Sequence, residues 1–121
     1  MNIVTKLLTF QNQIKILHWQ TTSYAEHKTL DGIYGDLSDH IDEFVETFMG
    51  KYGRVMAQTN FNLTLQNYSA LAPMDLMNQM IAYLTNELPT MLAAKKDTDL
   101  LNIRDEMLGS ANQTKYLLTL K

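Results

Sequence analysis

Five side chains with metal-binding chemistry stand at suggestive intervals along this chain: His18, His27, Asp31, Asp42 and Glu46. Imidazole nitrogen and carboxylate oxygen are the donors that divalent first-row metals take. The last four belong to one predicted helix. At 100° per residue from Leu30 they fall at roughly 60°, 100°, 120° and 160°. They make a continuous stripe beside the apolar face, with His27 and Asp31 one turn apart and Asp42 and Glu46 one turn apart. Asp31 and Asp42 are separated by about 16 Å of helix rise, whereas metal–ligand bonds are only about 2.0–2.6 Å long. One chain therefore cannot close both pairs around one ion. An antiparallel two-fold pairing of these helices sets His27 and Asp31 of one copy against Asp42 and Glu46 of the other. An isologous interface of that kind produces two equivalent sites. His18, just before the turn into this helix, is placed to reach the His27/Asp31 half. Two imidazoles and three carboxylates suit iron, Fe(II) or Fe(III), with Zn(II) or Mn(II) as substitutes.

Plainer readings compete for each residue. Asp and Glu one turn apart on a helix flank usually form a solvated face. A single His closing an amphipathic helix is often a boundary or core residue, and His27 with Asp31 can be a local ion pair. His40 lies about 80° to the other side of the core centre, off the stripe, and reads as a surface or interface residue. Trp19 is expected to pack, or, on the sharper reading, to lie beside the metal.

Helices must position this stripe. Val4, Leu7, Leu8, Ile14 and Leu17 recur at helical spacing and predict a first helix from Val4 to Trp19. Thr21, Thr22 and Ser23 interrupt it. Ser23 with Glu26 fits a capping box, which opens a second helix from about Tyr24 to Met49 with Gly50 as its stop. Residues Lys51 to Leu71 are polar and poorly periodic, and predict a long connection with at most a short helical turn around Arg54 to Gln58. Pro73 suits the first position of a third helix, and Pro89 should kink or split it. Lys95, Lys96 and Asp97 break the chain again, with Asp97 or Thr98 as N-cap of a fourth helix. The expected fold is all-α: a ferritin-like four-helix bundle with a long crossover between helices 2 and 3. It forms a single domain over residues 1–121.

Composition narrows the function. A 45% apolar content with five Gly and two Pro is that of a folded domain. With no cysteine, thiolate metal sites and disulfides are excluded, and a cytoplasmic setting fits. No apolar run is long enough to span a membrane, and no signal-peptide pattern opens the chain. Thirteen acids against ten scattered bases leave a net charge of −3, which argues against DNA binding. There is no Glu-x-x-His motif of the kind that builds a di-iron site inside one bundle. No phosphate loop, Ser–His–Asp grouping or zinc-finger spacing is found.

At the residues that could bind metal, the chain resembles the Dps family of mini-ferritins. Leu17-His18-Trp19 looks like the His-Trp pair that ends that family's first helix. His27-x-x-x-Asp31 looks like its second ligand pair. Asp39-His40-Ile41-Asp42-Glu43-Phe44-Val45-Glu46 is similar to its Asp-His-hydrophobic-Asp-x-x-x-Glu segment. The chain departs from the family in a shorter stretch between His18 and His27, a leaner crossover and the lack of a lysine-rich tail.

The resemblance implies a ferroxidase and iron-storage protein that oxidises Fe(II) with hydrogen peroxide or oxygen. His18, His27 and Asp31 would come from one subunit, and Asp42 and Glu46 from its two-fold partner, within a dodecameric shell. The alternative, from a different class, is a non-catalytic helical assembly protein that keeps the bundle without metal turnover.

Overall fold

The computed structural model describes residues 2–120. Its regular structure is helical, and among the described residues there is no strand.

Helix α1 spans Ile3–Gln20. The Asn2 carboxamide accepts the Thr5 backbone N–H at 2.8 Å, which satisfies one of the free amides of the first turn. After Gln20 the threonines and Ser23 leave the helix, and the Thr21 N–H closes the last turn on the Leu17 carbonyl. Helix α2 spans Tyr24–Tyr52, with Ser23 as its N-cap accepting from the Glu26 N–H at 3.2 Å. The expected return arm of the capping box is not made. Glu26 instead accepts from the hydroxyls of Thr21 and Tyr68, each at 2.7 Å, because the crossover brings Tyr68 over this turn.

The predicted stop at Gly50 is corrected by the structure. The helix runs through Gly50 and ends at Gly53, whose φ of 87° is disfavoured for residues with a Cβ. Lys51 and Tyr52 hold the extra turn in place by bonding to residues at the start of the fourth helix.

The crossover then runs from Gly53 to Ala72, and the helical turn expected around Arg54 to Gln58 does not form. Helix α3 covers Pro73–Ala82, with Pro73 in its first turn as predicted. Pro89 has no N–H to donate and its ring crowds the preceding turn. The chain accordingly widens into a π-turn at Tyr83–Glu87 and tightens into a 3₁₀ turn at Leu88–Met91. Helix α4 spans Thr98–Leu117, with Asp97 in the N-cap position.

Helix α1 packs on α2, α2 on α4, α4 on α3 and α3 on α1, so the four helices enclose one core. Gln11 bonded to Ser38 makes α1 and α2 antiparallel, and Lys51 bonded to Asp99 with Ser110 bonded to Asp36 makes α2 and α4 antiparallel. The crossover returns along the length of α1: Gln66 pairs with Gln13, and Tyr68 with Gln20. Helix α3 therefore starts where α1 ends and runs parallel to α2. Leu17, Leu30, Phe44, Met77, Leu88 and Met107 are fully enclosed. Burial of this kind, at roughly 25 cal/mol per Å² of apolar surface, drives the folding of the bundle.

Candidate functional site

The turn between α1 and α2 brings two of the five candidate ligands together. The rings of His18 and His27 stack with centroids 3.9 Å apart and planes 17° apart. Their backbones are linked reciprocally. His18 Nδ1 lies 2.9 Å from the His27 carbonyl oxygen, and His27 Nδ1 lies 2.9 Å from the His18 carbonyl oxygen. A carbonyl only accepts, so each Nδ1 must carry the proton. In the neutral form both rings are thereby fixed in the Nδ1–H tautomer, and each keeps a lone pair on Nε2. A metal-binding imidazole is commonly held this way, with its other nitrogen donating to a carbonyl. His18 is 7% exposed and His27 half-buried, so both rings are well anchored.

Asp31 follows one turn along α2 and is exposed. Trp19 does not pack in the core as expected. It is 66% exposed, with the Lys15 ammonium 5.6 Å from its ring. At the end of α1 its direction is opposite to that of the buried Leu17 and His18, which leaves the indole on the outer surface. Tyr24 is 73% exposed and lies 6.4 Å from the His27 ring. One uncovered aromatic ring, that of Tyr24, thus lies beside the imidazole pair.

Asp42 and Glu46 form the second half. Both are exposed on α2, and their carboxyl groups are close enough to share a hydrogen bond, which raises the Glu46 pKa. The like charge of Asp42 pushes it the same way. Two carboxylates held against their own repulsion on one helix face are a natural partner for a cation. Asp42 also lines a shallow groove of about 370 Å³ between α1 and α2, whose floor is Val4, Leu8, Ile41 and Val45. Among the described residues, no three His, Asp or Glu side chains converge to hold a metal within a single chain. The structure pairs His18 with His27 and Asp42 with Glu46, and among the described residues no hydrogen bond or ion pair engages the Asp31 side chain.

His40 stands apart from the stripe. Its Nδ1 donates to the Asp36 carbonyl at 2.8 Å, and it faces the groove between α2 and α4.

Two networks had no signal in the sequence. Near the imidazole pair, Gln20, Glu26, Asn67 and Tyr68 tie the crossover to the α1–α2 turn. The bond to Glu26 raises the Tyr68 pKa. At the other end of the bundle Asp97 is buried. It accepts from the Ala93 N–H at 2.7 Å, from the Tyr52 hydroxyl and from Lys51 Nζ at 3.2 Å. Those bonds, the Ala93 amide first, lower the Asp97 pKa. Lys51 also meets Asp99 at 2.7 Å, which lowers the Asp99 pKa and raises that of Lys51. Lys51 and Tyr52 lie 45 or more residues from Asp97 and Asp99 in the chain, and no local pattern marks these contacts.

A protein-family profile described as a family of unknown function, DUF5856, matches residues 18–118. The chain belongs to the DUF5856 family. The matched span begins at His18 and contains all five candidate ligands. The chain is also similar to an uncharacterised 14.6 kDa protein from the mobD–ri intergenic region of Enterobacteria phage T4. That similarity is 27% identity over 115 residues, covering 95% of this chain and 84% of the phage protein. No solved structure matches. No helix of this DUF5856 member, among the described residues, is long and apolar enough to cross a membrane.

Proposed function

We propose that this DUF5856 protein is a cytoplasmic Dps-type ferroxidase that binds Fe(II) between two copies of the chain. The observation that carries the reading is the His18–His27 pair, fixed by reciprocal carbonyl bonds with both Nε2 atoms left as donors. The direction of the helices supports it as well. A parallel α2 and α3 joined by one long crossover is the connectivity of ferritin-like bundles. Exposure of Asp31, Asp42 and Glu46 on one side of α2 agrees with a site completed by a partner.

On this reading His18, His27 and Asp31 hold iron from one subunit, and Asp42 and Glu46 hold it from the other. The donor set fits the substrate, since neutral imidazoles and carboxylates suit Fe(II) and also tolerate Fe(III). Two Fe(II) ions each give one electron to hydrogen peroxide. Its O–O bond breaks, and with two protons it leaves as two waters. The carboxylates offset the added positive charge of Fe(III).

The test compares peroxide-driven and aerobic Fe(II) oxidation by the wild type and by Asp42→Ala/Glu46→Ala, with equilibrium Fe(II) or Co(II) binding measured in parallel. Loss of both binding and oxidation in the double variant supports the reading. Equal oxidation rates overturn the catalytic role. Absence of metal binding by the wild type favours a non-catalytic assembly protein instead. Storage as a mineral further requires a closed shell, and light scattering separates a dimer from a dodecamer.

A further inference from the structure

The crossover carries a largely exposed segment. From Asn60 to Asn67 the backbone runs without turn or bend. Among the described residues, no backbone–backbone hydrogen bond reaches Phe61 to Leu65. Gln66 is anchored in the manner of a strand residue, and Asn67 is held by Gln20. The Gln13 carboxamide donates to the Gln66 carbonyl at 2.8 Å and accepts its N–H at 2.7 Å.

The sequence Phe61-Asn62-Leu63-Thr64-Leu65 alternates apolar and polar residues with the period of a strand. Every residue from Asn60 to Asn67 is exposed except Leu63, which is half-buried; Phe61 is 44% and Leu65 40% exposed, and Thr64 and Gln66 line the groove beside α1. No charged residue or His occurs from Val55 to Met74, and no Pro or Gly from Val55 to Ala72. Free strand edges are normally protected by such residues. An uncharged, alternating, unpaired edge is a template for another strand.

The pattern is complementary to a second copy of itself. In an antiparallel pair centred on Leu63, Phe61 faces Leu65, Asn62 faces Thr64, and Leu63 faces its own copy. A slip of one residue would set each apolar side chain against a polar one. Charge points the same way. Two copies each carry a net charge of −3, and residues 55–74 are the longest stretch of the sequence without a charged side chain, so copies can meet there without like charges opposed. We propose that residues 60–66 pair as an intermolecular antiparallel β-ribbon with the same segment of a second copy, on a two-fold axis through Leu63. The crossover alone carries this inference, which does not depend on iron binding.

The full chain lacks cysteine, so single-cysteine variants report cleanly. Directly opposed strand residues have Cβ atoms about 4.5–5.5 Å apart, close to the roughly 3.5–4.5 Å that a disulfide spans. Residues 61 or 65 of the two copies would be about 14 Å apart at 3.4 Å per residue. Under mild oxidation Leu63→Cys should form disulfide dimers several-fold more than Phe61→Cys or Leu65→Cys. Leu63→Lys and Leu63→Glu, each checked for native helicity, should associate less than wild type in sedimentation, and an equimolar mixture should regain association. Asp42→Ala/Glu46→Ala introduced into Leu63→Cys should leave the cross-link intact, which separates this pairing from the iron reading. Equal cross-linking at the three positions, wild-type association by Leu63→Lys, or a wild type that stays monomeric at every concentration overturns the proposal.

Discussion

Replacing His27 by Ala tests the element on which the functional reading rests. The substitution removes the His27 Nδ1–H bond to the His18 carbonyl and the ring stacked 3.9 Å from His18. A hydrogen bond of this kind contributes about 1 kcal/mol, and a stacked aromatic pair adds about 0.5–1.5 kcal/mol. The expected loss is therefore about 2 kcal/mol. Unfolding entropy near 2.1 cal/mol/K per residue gives roughly 0.25 kcal/mol/K for a chain of this length. The Tm should fall by about 8 °C.

His27→Phe keeps a ring for stacking and loses only the bond, so its fall should be about half as large, near 4 °C. Both variants remove one Nε2 donor, so both should weaken Co(II) or Zn(II) binding whatever their stability. The assay is thermal unfolding by circular dichroism, followed by metal titration of the folded protein. A His27→Ala protein with the wild-type Tm would show that the reciprocal bonds do not hold the junction. Undiminished metal affinity would remove His27 from the ligand set.

Three further outcomes follow from the same geometry. Zn(II) added at about 100 times its Kd should stabilise the wild type by about 2.7 kcal/mol, or roughly 11 °C in Tm, and a calorimetric scan should find most of that increment missing in Asp42→Ala/Glu46→Ala. The lowered pKa values of Asp97 and Asp99 mean that their stabilisation is complete above the ordinary aspartate value of 3.8 and is lost as pH falls through the lowered values. The raised Lys51 pKa means the same contact is complete below 10.5 and is lost as pH rises through the raised value. Lys51→Met should flatten both edges of a stability–pH profile measured by urea unfolding, and an unchanged alkaline edge would contradict the contact. Gly53→Ala should destabilise, because φ is 87° there, whereas Gly50→Ala, inside α2 with nothing within 4 Å of a new Cβ, should stabilise by about 0.5–1 kcal/mol. Chemical denaturation distinguishes the two signs.

Much of the bundle was legible because helix formation and burial follow a local period. Leu30, Ile33, Leu37, Ile41 and Phe44 mark the buried face of α2 in the sequence and are buried in the structure. Pro73 and Pro89 act through their missing N–H, a property of the residue, and the chain starts α3 at one and breaks it near the other. The misreadings arose where distant residues decide. Gly50 looked like a stop because glycine often is one, yet bonds from Lys51 and Tyr52 to Asp97 and Asp99 carry α2 three residues further. Glu26 was expected to close its own capping box, but Tyr68, 42 residues away, claims its carboxylate together with Thr21. Trp19, expected to pack or to lie beside a metal, is exposed, because residue type says nothing about the direction in which a side chain at a helix end points.

The sequence by itself determined which segments form the four main helices, which face of each is apolar, and that His27, Asp31, Asp42 and Glu46 share one stripe. Those properties depend on backbone periodicity and side-chain chemistry within a few turns. Only the tertiary structure decided that His18 and His27 stack and exchange backbone bonds, and that the crossover lies along α1 with Phe61 and Leu65 exposed. Stacking and exposure depend on the angle at which elements meet, and that angle is set by the packing of the whole core.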